Sequence, residues 1–159
     1  MIRAIFITAT LASAAAFATN DAHLEAMMQW DYVDDSRCFI SYNDQVLPIL
    51  PQLIASDGLP GVGHEDVLAA LDAALARGCD IHQPDQYGLS PLNNAIIFAN
   101  ASLIRYLIDH GADPHQPITD SSKPELNGLD SLALLKLIQL SSDQPLHWSD
   151  AEKALLEKY

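Results

Sequence analysis

Residues Asp85 to Asp113 read Asp-Gln-Tyr-Gly-Leu-Ser-Pro-Leu-Asn-Asn-Ala-Ile-Ile-Phe-Ala-Asn-Ala-Ser-Leu-Ile-Arg-Tyr-Leu-Ile-Asp-His-Gly-Ala-Asp. A glycine turn at Gly88 leads into Ser90-Pro91-Leu92. Ser90 is suited to cap a helix, and Pro91 falls at a first helical position, where its missing N–H costs nothing. A short apolar helix is expected to follow, then a second one with Ile104, Leu107 and Ile108 on one face. Gly111 stops that second helix, as glycine just past a helix commonly does.

The unit recurs. Gly78-Cys79-Asp80 precedes Gly111-Ala112-Asp113 by 33 residues, and Leu68, Leu71 and Leu75 lead into the first copy as Ile104, Leu107 and Ile108 lead into the second. A degraded third copy begins at Gly128-Leu129-Asp130-Ser131-Leu132, 40 residues after Gly88-Leu89-Ser90-Pro91-Leu92. The seven extra residues fall in the polar, proline-containing stretch Gln116 to Asn127. Insertions in repeats map to loops, often on the binding side.

A 33-residue turn–helix–helix period with Ser-Pro-Leu-Asn at Ser90–Asn93 resembles the ankyrin repeat, whose signature is T-P-L-H-x-A. The resemblance is strongest over Asp85–Asp113 and fades toward Gly128–Tyr159. Asn93 stands where the family has histidine; it can still donate and accept, so the turn should survive. The resemblance implies an all-α solenoid of about three helix-pair units between irregular helical caps. Residues 19–63 would form an N-terminal helical cap, 64–148 the repeats with an insertion at 116–127, and 149–159 a C-terminal helix. In the cap, His23 to Trp30 reads as a short helix with Leu24, Met27 and Met28 on one side, and Asp31 to Cys38 as a loop. Phe39–Tyr42 is too short to assign. Asp44 to Ala55 reads as a helix, the first of a degenerate repeat, in which Pro48 and Pro51 predict a kink or a late start.

Ahead of the cap, Arg3, the apolar run Ala4–Ala15 and Ala16-Phe17-Ala18 match the three parts of a secretory signal peptide, with cleavage expected after Ala18. The alternative, a membrane anchor, is disfavoured because the run falls short of the ~20 residues a bilayer requires. Cleavage would leave about 141 residues, one domain by length. Seven Lys/Arg would then face 21 Asp/Glu, a net charge of −14. Such a chain repels nucleic acid and anionic lipid and favours a basic partner, or simply stays soluble.

The chain has two cysteines, Cys38 and Cys79. Export would place them where cysteines pair, and a Cys38–Cys79 bridge would staple the N-terminal segment onto the first repeat. The alternative is two free thiols acting as small apolar residues.

Catalytic and metal chemistry find little support. There is no H-E-x-x-H, no paired C-x-x-C, no G-x-S-x-G elbow and no Ser/His/Asp order that suggests a triad. The loop Gly58–Gly63 lacks the lysine of a phosphate loop. Six histidines invite a metal, yet His110 and His115 straddle a helix stop, and His82 and His115 are one repeat-width apart. No catalytic residue, metal ligand or cofactor is therefore expected.

What the resemblance implies is a surface for a protein partner, with no nucleic acid and no membrane insertion. Gln86, Tyr87 and Leu89 are the turn positions that would face it; Ile97 and Phe98 are variable first-helix positions; Leu126, Asn127 and Leu129 are the turn counterparts in the third unit. Tyr87 and Phe98 are the expected aromatic anchors, although Ile97 and Phe98 could instead pack on their neighbours. The function expected is a non-enzymatic periplasmic or secreted interaction module. One form is an immunity protein that neutralises an envelope-targeted toxin. The alternatives are an accessory to an envelope stress or peroxide-defence enzyme and a thiol redox protein using Cys38 and Cys79.

Overall fold

A computed structural model describes residues 30–141 and 149–157. The expected signal peptide, the chain end from Lys158 and the expected helix His23–Trp30 as far as Gln29 lie outside the described residues; Trp30 is described and is not helical. Among those described, six α-helices follow a small antiparallel sheet.

The sheet corrects the all-α expectation. Strands β1 (Asp31–Tyr32), β2 (Phe39–Tyr42) and β3 (Gln45–Pro48) lie in the order β1-β2-β3. Two residues of the expected loop thus form β1, and a third of the expected helix over Asp44–Ala55, Gln45–Pro48, is strand. Local chemistry accounts for both. Asn43 and Asp44 join β2 to β3 with φ of 49° and 62°, the left-handed pair that a two-residue hairpin turn requires and that Asn and Asp tolerate. Pro48 then disfavours helix at Leu47 and itself stays extended, with φ −66° and ψ 140°. Helix α1 (Ile49–Ser56) therefore starts late, with Pro51 harmlessly in its first turn. On the buried side of the sheet Ile40 pairs with Leu47.

Helices α2 (His64–Ala76), α3 (Pro91–Ile97), α4 (Ala101–Asp109), α5 (Ser131–Ser141) and α6 (Ser149–Leu156) complete three helix pairs: α1/α2, α3/α4 and α5/α6. The first helices stack as α1, α3, α5, and α4 packs on α6 in the second layer. Between the layers lies one core, in which Leu50, Ile54, Leu71, Leu92, Ile96, Leu103, Ile104, Leu107, Leu135 and Leu155 are buried. Each such side chain contributes about 1.5–3 kcal/mol of burial. Ala70, Ala74, Ala95, Ala151 and Ala154 are buried as well, and their small size lets the helices approach.

Polar links tie unit to unit. Ser131 Oγ donates to Asn93 Oδ1 (2.8 Å) in the core, so asparagine at the family's histidine position still bridges neighbouring units. Tyr106 on α4 donates its hydroxyl to Asp72 on α2. Asp57, the C-cap of α1, accepts from His64 Nδ1 (2.8 Å) and Asn100 Nδ2 (2.6 Å), while His64 Nε2 meets Ser102 Oγ at 2.9 Å. Cys38 and Cys79 form a disulfide with their Cα atoms 5.2 Å apart. Cys79 occupies the buried slot that Ala112 fills one unit later, and the bridge joins the sheet to the turn after α2.

Candidate functional site

The turn that opens the central unit is built by one carboxylate. Asp85 Oδ1 accepts from the amides of Tyr87 (2.8 Å) and Leu89 (3.0 Å), and Asp85 Oδ2 accepts from Asn94 Nδ2 (3.0 Å). Asn94 also donates to the carbonyls of Leu89 and Ser90. Ser90 Oγ caps α3 by accepting from the Asn93 amide at 3.2 Å, with Pro91 at the first helical position as expected. Tyr87 is held outward at 53 % exposure, and Gln86 is exposed beside it. Leu89, an expected contact position, is buried. Its side chain follows the turn into the apolar interior and presents nothing to a partner.

The insertion is an ordered wall rather than a slack loop. Ile118 is buried and exchanges two backbone hydrogen bonds with the chain at Gly128 and Leu129, both 2.9 Å. Asn127 Oδ1 accepts from the Ser121 amide (2.9 Å), so this exposed residue holds the loop shape. The short 3-10 helix Pro124–Leu126 follows from Pro124 at its start. Leu126 and Leu129 are partly buried against the core.

Between this wall and the first-helix layer runs an open groove of about 620 Å³. Ile97, Leu126, Leu134, Leu137 and Ile138 supply its apolar lining; Lys123, Glu125 and Ser141 supply its polar edge. The structure thus brings Ile97 and Leu126 together on one surface. Phe98 adjoins Ile97 at the C-cap of α3 and is 52 % exposed. The apolar character continues beyond the groove with Leu140, the most exposed large apolar residue among those described.

Leu134, Leu137 and Ile138 escaped the sequence reading. The signal for them was present: adding the 40-residue offset of the third unit to Asn94, Ile97 and Phe98 lands on these three positions. Lys123 and Glu125 carried no such signal, because the insertion has no counterpart in the other units.

His82 and His110 serve the scaffold. His82 Nε2 accepts from the Asp113 amide (3.2 Å), and its carbonyl accepts from Gln116 Nε2 (3.2 Å), linking successive turns. His110 stacks on Tyr106 with ring centroids 4.0 Å apart. Among the described residues no three His, Cys, Asp or Glu side chains are grouped to hold a metal. At Tyr106 partial burial first, then the hydrogen bond to Asp72 and its negative charge, push the hydroxyl far above the ordinary tyrosine value.

Residues 87–116 match the family model described as ankyrin repeat. That span covers the exposed Tyr87, the whole of α3 and α4 and the start of the insertion. Neither the curated proteins nor the solved structures yield a match to the chain.

Proposed function

We propose that this ankyrin-repeat chain is an exported protein-binding module that takes a short apolar segment of a basic protein partner into the groove beside its insertion. The single observation that carries the reading is the groove itself. At Leu137 the third unit places an exposed apolar residue where a solvated first helix would carry a polar one, beside the partly buried Ile138 and the buried Leu134. Exposed apolar residues that gather into a lined concavity mark binding surfaces. The chain's formal charge of −13 supports a basic partner, because charge complementarity speeds encounter and rejects acidic competitors. Export is supported by the leader-like pattern around Arg3 and Ala16-Phe17-Ala18 and by the paired cysteines.

An immunity protein against an envelope-targeted toxin is the form that best fits a small, acidic, exported binder. Its partner would be a basic enzyme whose activity falls on binding. An accessory role would leave the partner enzyme's activity unchanged or raised.

The test uses the mature protein recovered from its own periplasm or medium. Co-purification identifies a partner, and titration calorimetry then compares the wild type with Leu137→Asp. A carboxylate in the groove should weaken binding by about 2 kcal/mol or more, roughly 30-fold, with an unchanged thermal melt. Tyr87→Ala should do the same if the turn tip shares the interface. Full affinity in both variants would overturn the groove reading. A mature N-terminus other than Thr19 would overturn the cleavage site.

A further inference from the structure

One polar cluster lies apart from the groove and shares no residue with it. Asp57 ends α1, His64 opens α2 and Ser102 is the second residue of α4. The three meet in a line. His64 Nδ1 lies 2.8 Å from Asp57 Oδ2, and His64 Nε2 lies 2.9 Å from Ser102 Oγ. A carboxylate can only accept, so Nδ1 carries the imidazole proton and Nε2 presents its lone pair to the serine hydroxyl. Asp57 is nearly buried, its side chain 9 % exposed, and Asn100 Nδ2 donates to the same oxygen at 2.6 Å. The carboxylate is therefore pinned from two sides, and it pins the ring. Ser102 itself is exposed, and the His64 side chain is 35 % exposed, so a reagent can reach the hydroxyl.

We propose that Ser102 is a nucleophile that takes acyl groups from carboxylic esters, with His64 as general base and Asp57 as its positioning residue. This order of roles, rather than any order in sequence, defines the arrangement. Ser102 Oγ forms a bond to the ester carbonyl carbon while its proton passes to His64 Nε2. The bond to the alcohol oxygen breaks, and the leaving alkoxide takes that proton from His64. Water then attacks the acyl-serine, gives a proton to His64 and releases the acid; the proton returns to Ser102 Oγ. Of the first-turn amides of α4, that of Leu103 is taken by Asn100 Oδ1 at 3.0 Å and that of Ile104 by the Asn100 carbonyl, so the amides of Ala101 and Ser102 are the oxyanion donors of the proposal. Esters rather than amides are the class, since their alcohol leaving group asks less of a solvent-exposed site.

The full chain is treated with an alkyl fluorophosphonate and, separately, with p-nitrophenyl acetate, and the adducts are mapped by peptide mass spectrometry. Phosphonylation and acetylation at Ser102 are expected, both absent in Ser102→Ala. His64→Gln should slow the labelling by about 100-fold or more, the scale of a lost general base. In the unmodified protein, nitrogen-15 NMR should find His64 as the Nδ1–H tautomer. No adduct at Ser102 overturns the proposal, as does equal labelling of a His64→Gln variant with a wild-type melt. An Nε2–H tautomer overturns it without any variant. Phosphonylation with neither acetylation nor Ser102-dependent release of p-nitrophenolate overturns the ester assignment. None of these outcomes bears on the groove.

Discussion

At the residue scale, Gly88 carries the most constraint. Its φ is +78°, and a Cβ built there would stand 2.2 Å from the Thr119 carbonyl and 3.1 Å from the Ser121 amide. Both obstacles are backbone of the insertion, so no side chain can swing aside. Gly88→Ala adds the left-handed penalty of about 1–2 kcal/mol to the displacement of the insertion. The expected loss is about 3 kcal/mol by urea denaturation. A loss under about 1 kcal/mol would mean that the insertion does not rest on the turn. The need for glycine in this turn could be read from Asp85-Gln-Tyr-Gly88, but the close approach of Thr119 could not. That contact joins residues with no shared periodicity. Leu89 illustrates the same limit: its place in the motif looked like surface, while its burial depends on what the fold stacks above it.

At the scale of elements, helices with a repeated pattern were legible and the hairpin was not. α2, α3 and α4 follow from spacing, capping and stop residues that recur 33 residues apart. β2 and β3 are four residues each, too short for an alternation pattern to stand out, and their turn uses Asn43-Asp44 without the usual glycine. Between α2 and α4, the Tyr106–Asp72 hydrogen bond supplies a link that can be titrated. The raised Tyr106 value means that the folded state favours the protonated phenol. The stability it contributes is fully present below the unfolded tyrosine value, near pH 10, and is lost as pH rises beyond it toward the folded value. Tyr106→Phe should cost about 1 kcal/mol at neutral pH, a charged hydrogen bond discounted for exposure. It should also lose less stability than the wild type between pH 9 and 11. Parallel alkaline denaturation curves would contradict the assignment of that loss to this hydroxyl.

At the scale of the whole molecule, the three helix pairs bury their faces only by stacking, and the sheet reaches the stack through a short connection into α1. Apolar contact with the core, made by Ile40 and Leu47 and joined by Tyr32, holds it there together with the Cys38–Cys79 bridge. The cysteines are 41 residues apart in sequence, and a loop of that size removes about 4 kcal/mol of denatured-state freedom in the chain-entropy account. That is a large fraction of the 5–15 kcal/mol by which domains are usually stable. The double substitution Cys38→Ala and Cys79→Ala should therefore lower the unfolding free energy by about 3–4 kcal/mol. The loss should not fall evenly. With the staple gone, amides of β1 to β3 should exchange with solvent faster than those of α3 and α4, because strands that short gain little from their own ladder. Hydrogen exchange followed by mass spectrometry reads both regions at once. Uniform acceleration would mean that the sheet and the repeats unfold as one cooperative body. Unchanged exchange in the sheet would mean that Ile40 and Leu47 hold it without help from the bridge.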